Sequence, residues 1–343
     1  MGRYLTAALL LLSVLLGTEA MAESGKWRAL TLKAPGTIAA VLRVGGDVYL
    51  ELENTGTSGL RFRKLRLVAG RPVLEDGADS PVGAIERRPD MLPDGVVSRG
   101  DRGIVEAWLA SPTRRYGHGV IGDRVEAGGL RAVDGNGALL RLDLPPDSVF
   151  EDRLARLADL NGDGVDEILV VRSYLDAGAA IAVVGLAGGR LGIVAEGKPV
   201  GLPNRWLNPA GVGDFDGDGR TEFAIVVTPH IGGTLVIYEL TETGLKIEGK
   251  AFGYSNHEMG SRELGLSAVV DANGDGVLDL VLPTAARRGL EILTFLGRRF
   301  AELATVQHES AITTAIEAGD LDGDGLVELV YGLEDNTLVI LGR

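Results

Sequence analysis

Residues 214–227, DFDGDGRTEFAIVV, run from an acidic, glycine-punctuated loop straight into an apolar, β-branched strand, and they decide the fold. The segment returns as DLNGDGVDEILVV from Asp159, DANGDGVLDLVLP from Asp271 and DLDGDGLVELVYG from Asp320, at spacings of 55, 57 and 49 residues. Four strands of about five residues, with their turns, use roughly 40 to 50 residues, so the period suits one four-stranded unit of a radial array. The runs Ile168-Leu169-Val170-Val171 and Ala224-Ile225-Val226-Val227 are apolar on every residue, as in a strand covered on both faces. Second strands follow over Ala180 to Val184, Thr234 to Leu240, Leu290 to Phe295 and Thr337 to Leu341. Each unit then reads as strand A, acidic loop, strand B, turn, strand C and an outer strand D. In the third unit Leu264 to Val270 is expected to be strand A and Val277 to Leu282 strand B.

The acidic loops have the chemistry of a hard-cation site. Positions 1, 3, 5 and 9 are Asp159, Asn161, Asp163 and Glu167 in the first loop, and Asp214, Asp216, Asp218 and Glu222 in the second. They are Asp271, Asn273, Asp275 and Asp279 in the third, and Asp320, Asp322, Asp324 and Glu328 in the fourth. Position 7, at Val165, Arg220, Val277 and Leu326, is expected to offer its backbone carbonyl. Calcium takes six to eight oxygen ligands at about 2.3 to 2.6 Å, and alternate side chains of a tight loop converge on such a sphere. An EF-hand is excluded: it needs Glu at position 12, where Val170, Ile225, Leu282 and Tyr331 stand. About four structural Ca²⁺ are therefore expected. The ligand positions hold 14 carboxylates, equal to the formal charge of −14, and four ions would bring that charge to about −6.

The loop-and-strand pattern resembles the FG-GAP/VCBS repeat, the calcium-loop blade of integrin α-subunit propellers and of many bacterial exported proteins. The resemblance covers residues 154–343 directly and the first 150 only through architecture; the FG and GAP flanks are largely missing. It implies an all-β β-propeller. Upstream, Ile38 to Val44, Val48 to Glu53, Leu60 to Val68 and Pro72 to Glu75 read as a blade without a metal loop. Another spans about residues 92–145, with strands Ile104 to Ala110, Arg124 to Val133 and Ala138 to Leu144. The count is six blades, or seven if the polar stretch from Gly77 to Asp101 forms its own sheet. The last blade ends at Arg343 after strand C, and Trp27 to Lys33 is expected to supply its missing strand and close the ring.

Residues 1–22 read as a signal peptide: Arg3, an apolar run from Leu5 to Leu16, and Ala20-Met21-Ala22 as the cleavage site. Residues 23–343 are then one periplasmic or secreted propeller domain, without a membrane span and expected to be monomeric. No cysteine is present, which excludes disulfides, thiolate metals and cysteine nucleophiles. A hydrophobic fraction of 45% argues against disorder, and the acidity against nucleic acid.

The B–C and D–A loops lie at the end of the disc away from the acidic loops, and they gather the unusual residues. Candidate ligand contacts are Arg114, Tyr116, His118, Arg172, Tyr174, Arg205, Trp206, Asn208, His230, Asn256, His257, Arg262, Glu263 and Arg287. All four histidines fall there. Arginine, histidine and amide donors suit carboxylate, phosphate or sugar hydroxyls. Trp206, Tyr116 and Tyr174 are the aromatics placed to stack on a sugar ring. Catalytic templates fail: there is no H-E-x-x-H, Walker loop or G-x-S-x-G. Non-catalytic recognition of a protein or small ligand, or scaffolding, is the expected function. The alternative is an exported hydrolase or lyase using His257, Arg262 and Glu263.

Overall fold

The computed structural model describes residues 20–21, 27–53, 60–76, 80–83 and 86–343. Apart from Ala20 and Met21, the expected signal and its cleavage point lie outside these residues. After β1 (Ala20–Met21) and β2 (Arg28–Lys33), the chain forms antiparallel meanders. Sheet I is β3 (Thr37–Val44), β4 (Asp47–Glu53), β5 (Leu60–Val68) and β6 (Arg71–Asp76). Sheet II is β7 (Ser98–Arg102), β8 (Ile104–Thr113), β9 (Glu126–Asp134) and β10 (Leu139–Asp143). The short β11 (Ser148–Phe150) pairs with both β9 and β13, joining sheet II to sheet III: β12 (Arg156–Ala158), β13 (Glu167–Tyr174), β14 (Gly178–Ala187) and β15 (Arg190–Glu196). Sheet IV is β16 (Leu207–Gly213), β17 (Glu222–Val227), β18 (Thr234–Thr241) and β19 (Gly244–Phe252). Sheet V is β20 (Ala268–Val270), β21 (Asp279–Pro283), β22 (Gly289–Thr294) and β23 (Ala301–Gln307). Sheet VI is β24 (Glu317–Gly319), β25 (Glu328–Gly332) and β26 (Thr337–Gly342), with β2 as its fourth strand and the two-residue β1 beyond it.

The β2 to β26 ladder pairs Ala29 with Leu341 and Leu32 with Leu338, so the first strand of the array completes the last sheet. Trp27 and Ala29 are buried in the core shared by sheets V and VI. The central strands are covered on both faces, as their composition dictates. Ile168, Leu169, Val170 and Val171 are all 0% exposed, and each such side chain contributes about 1.5–3 kcal/mol on burial. Sheets II and III share one core, III and IV a second, IV and V a third, V and VI a fourth, and VI and I a fifth. First strands lie side by side, β7 by β12, β16 by β20, β20 by β24 and β24 by β3. Face-to-face sheets with neighbouring first strands make the all-β fold a propeller.

Local deviations have local causes. The strand expected over Leu264 to Val270 is cut to β20 because the Leu264 carbonyl accepts from Asn208 and the Gly265 carbonyl from Ile316 N–H, outside the ladder. Residues 86–97 form no strand, only a bridge from Met91 to Ala110, and Met91 and Val97 pack on Trp108 of sheet II. Among the described residues, the stretch from Gly77 to Asp101 thus adds no further sheet beyond its share of β7. Among the described residues, no helix is long and apolar enough to cross a membrane.

Candidate functional site

All four acidic loops join the first strand of a sheet to the second, in sheets III to VI. Asp214 accepts the Gly217 N–H on Oδ1 at 2.7 Å and the Gly219 N–H on Oδ2 at 2.8 Å. Asp159, Asp271 and Asp320 repeat this pair of bonds. Gly217 and Gly219 have φ of +79° and +84°, a region that a Cβ would strain. The acid at position 9 reaches back to the N–H of position 2, in Glu222 to Phe215, Glu167 to Leu160, Asp279 to Ala272 and Glu328 to Leu321. Ligand oxygens of Asp214, Asp216 and Asp218 lie within 4.8 Å of one another, as do those of Asp320, Asp322 and Glu328. Burial, reinforced by neighbouring aspartates, pushes Glu167 and Glu222 up to about 7 and Asp279 to about 6. An all-oxygen donor set whose members repel one another fits a hard cation.

The opposite end of the disc carries a small, open pocket. Four links converge on it. The β8–β9 link supplies His118, the β15–β16 link Asn204, Arg205 and Trp206, and the β17–β18 link Thr228, His230 and Ile231; Met259 joins from the β19–β20 link. The β17–β18 turn is possible because Gly233 has no Cβ, which would sit 1.6 Å from the Tyr254 carbonyl oxygen. Asn204 and Thr228 have φ of +56° and +50°. For a β-branched threonine this is strain, of the kind that accumulates at functional sites.

Behind the pocket wall lies a layer of fixed hydrogen bonds. His118 Nδ1 is 2.8 Å from Glu151 Oε1, and Ser173 Oγ donates to Glu151 Oε2 at 2.5 Å. Glu151 follows β11, which holds it at 0% exposure. Burial raises its pKa, while the bond to His118 opposes the rise. The Trp206 indole donates to the Glu151 carbonyl at 3.0 Å. His230 Nε2 lies 2.8 Å from His257 Nδ1, and His257 Nε2 lies 3.0 Å from the Ser261 carbonyl. Burial, with Arg287 and His118 adding to it, lowers His230 to about 4; burial and then His230 lower His257 to about 3. Both rings are neutral at physiological pH.

Of the candidate ligand contacts, the pocket brings together His118, Arg205, Trp206 and His230. Tyr116 and His257 stand behind them: the Tyr116 hydroxyl accepts the Asn204 N–H, and its ring meets His118 edge-on. Arg287 supports this layer through the His257 carbonyl and Glu258. Arg172 and Tyr174 form a separate group, the guanidinium 4.4 Å from the ring centre and both side chains bonded to Glu196. Asn208 and Asn256 are wholly buried and donate to backbone carbonyls. Arg262 pairs with Asp94 and Asp123, and Glu263 accepts the Gly265 N–H. Arg114 is exposed outside the pocket. His308 bonds the Tyr331 hydroxyl elsewhere. Sequence reasoning missed Glu151, Thr228, Ile231 and Met259. No motif marks them, and only the topology of β11 and the four links assembles them.

Residues 271–331, which include the third and fourth acidic loops, match the model of an FG-GAP-like repeat, so the chain carries repeats of that kind. Among solved structures the chain is similar to the WD40 domain of Toxoplasma gondii coronin, with TM-score 0.44 and 10% identity over 95% of this chain and 88% of that one. It is also similar to the Bacillus licheniformis rhamnogalacturonan lyase PL11, with TM-score 0.43 and 14% identity over 88% of this chain and 66% of that one.

Proposed function

We propose that this propeller is an exported recognition module, stapled by calcium at one end and binding a small anionic ligand at the other, in the pocket of His118, Arg205, Trp206 and His230. The observation that carries the reading is the convergence of four links of the ring on one pocket whose polar groups are fixed from behind. Among the described residues, Arg205 is the charged side chain lining it and no carboxylate does. That favours an anion over a neutral sugar. A carbohydrate also lacks a stacking platform here. Trp206 is 2% exposed and packed against His230 and His257, while Tyr116 is 4% exposed. The hydrolase or lyase reading is weakened by the same geometry, because Arg262, Glu263 and His257 are all engaged within the protein.

The test is a thermal-shift and calorimetric survey of small dicarboxylates, phosphate esters and neutral oligosaccharides in calcium. An anion should bind, and Arg205→Ala should weaken it at least tenfold with no change in the unliganded melting temperature. Binding unaffected by Arg205→Ala, or preference for a neutral sugar, removes this assignment. Export rests on the N-terminal pattern and is checked by finding a mature chain that begins near Glu23 outside the cytoplasm.

A further inference from the structure

We propose that this end of the disc captures the carboxyl terminus of an apolar peptide, with the terminal carboxylate on Arg205 and the last side chains on Ile231, Met259, Leu202 and Phe252. The inference deepens the recognition reading and rests on it, since it names the molecule to which the anion belongs.

The sheets of this chain hide most of their large apolar residues, and the strongest exceptions are not scattered. Among the described residues the four most exposed large apolar side chains are Phe252 at 75%, Ile231 at 59%, Leu202 at 58% and Met259 at 57%. All four stand at the pocket end of the disc: Leu202 in the β15–β16 link, Ile231 in the β17–β18 link, Met259 in the β19–β20 link and Phe252 at the end of β19. Ile231 and Met259 line the pocket itself, beside Arg205. A lone exposed apolar residue is ordinary, whereas several at one surface mark a contact site.

Backbone bonds tie these links to one another. The Thr228 N–H donates to the Trp206 carbonyl at 2.9 Å, the Gly253 N–H to the Gly233 carbonyl at 2.9 Å and the Gly260 N–H to the Val120 carbonyl at 2.8 Å. Phe252 pairs across the ladder with Thr234, just after the link that carries Ile231. The surface is therefore built before a ligand arrives, and binding orders little backbone.

Charge decides what covers it. Arg205 is half-buried, and among the described residues its guanidinium has neither a hydrogen bond nor an ion pair. Arg172, Arg262 and Arg287, at the same end, are engaged by Glu196, by Asp94 and Asp123, and by Glu258. A guanidinium fork left free beside apolar surface matches a carboxylate joined to apolar groups. Asn204, exposed on the same pocket, adds an amide suited to a peptide bond. Because the pocket is small and open, it admits a chain end with its last side chain and leaves no depth for an acyl chain, while the other apolar residues receive side chains along the surface.

The probe is a pool of hexapeptides labelled at the amino end, their last three positions varied among leucine, isoleucine, valine and phenylalanine, made with a free carboxyl terminus and as the C-terminal amide. Binding in calcium is followed by fluorescence anisotropy. The free-carboxylate pool should bind, and the amide pool should bind about tenfold more weakly, as the loss of a charge-assisted contact requires. This comparison uses the parent protein and needs no variant. Arg205→Gln should bring the two pools to equal affinity, and Phe252→Ser and Leu202→Ser, both at exposed positions, should each weaken the free-carboxylate pool about threefold. Equal binding of the two pools by the parent, binding of neither, or undiminished binding of a pool with serine at the last three positions overturns the proposal. So does cosedimentation with phosphatidylcholine vesicles in place of peptide binding, or a dimer that Phe252→Ser dissolves, since the surface then belongs to a lipid or to a second copy of the chain. The survey of small anions separates the two readings. Arg205-dependent binding of a dicarboxylate without binding of the pool leaves recognition standing and removes the peptide, whereas binding of neither removes recognition itself.

Discussion

Glu126 shows how much one side chain can set against the fold. It opens β9 at 0% exposure, and neither carboxylate oxygen has a hydrogen-bond partner. Burial first, then Glu151 and the aspartates Asp123, Asp94 and Asp152, raise it from the ordinary 4.5 to about 9. It is therefore neutral in the folded protein at pH 7 and ionised in the unfolded chain. Below about pH 4.5 both states hold the proton and Glu126 contributes nothing. Between that value and about 9 unfolding releases a proton, so stability falls as pH rises, by at most about 1.4 kcal/mol per unit. Glu126→Gln removes the titration. Its stabilisation over the parent should grow from about pH 5 to about pH 8 in parallel urea unfolding curves. A difference independent of pH would show that Glu126 is ionised in the fold. Nothing in the sequence marks this residue, since EAGGLRAVD reads only as a mixed strand. Its burial comes from β11 and the links that cross the end of the ring.

At the scale of the element, β2 has the largest testable consequence. It adds a ladder of six paired residues to β26 and seats Trp27 and Ala29 in a shared core. Lys33 also pairs with Asp335 at 2.7 Å. Removing residues 23–33 should cost several kcal/mol and leave β26 as an open edge that pairs between chains. Calorimetric melting in calcium and sedimentation would register both effects; a monomer melting at the parental temperature would show that the ladder contributes nothing. This strand was legible because WRALTLK stands alone before the first meander while the last lacks a partner. The strands after the acidic loops were legible for a similar reason, since four apolar residues in a row leave no polar face to expose. Others were not. β11 is three residues long and β20 keeps only three of the seven expected, because carbonyl groups there bond to a distant asparagine side chain and a distant backbone amide. The acidic loops could be read from spacing alone, whereas the pocket draws on links far apart in the chain.

For the whole molecule, electrostatics and closure are coupled. Four clusters of carboxylates at one end of a chain with formal charge −14 repel one another unless cations intervene. Calcium chelation should therefore lower the melting temperature and calcium should restore it. Asp214→Ala should remove one of about four ions and the stabilisation it brings, about 2.7 kcal/mol at a hundredfold excess over the dissociation constant. Metal analysis of the dialysed protein together with melting in calcium and in EDTA decides this; an unchanged melting temperature with no calcium recovered would remove the ions from the account. The join between β2 and β26 also matters in time. As the chain threads out amino end first, β2 emerges early with only the two-residue β1 to pair with, and its six-pair ladder waits until β26, near the other end of the described residues, has followed it. A chain interrupted before β26 by stalled synthesis or proteolysis leaves β2 without that ladder and the edge of sheet VI open to degradation, so the clasp closes only when two segments far apart in the chain are both present.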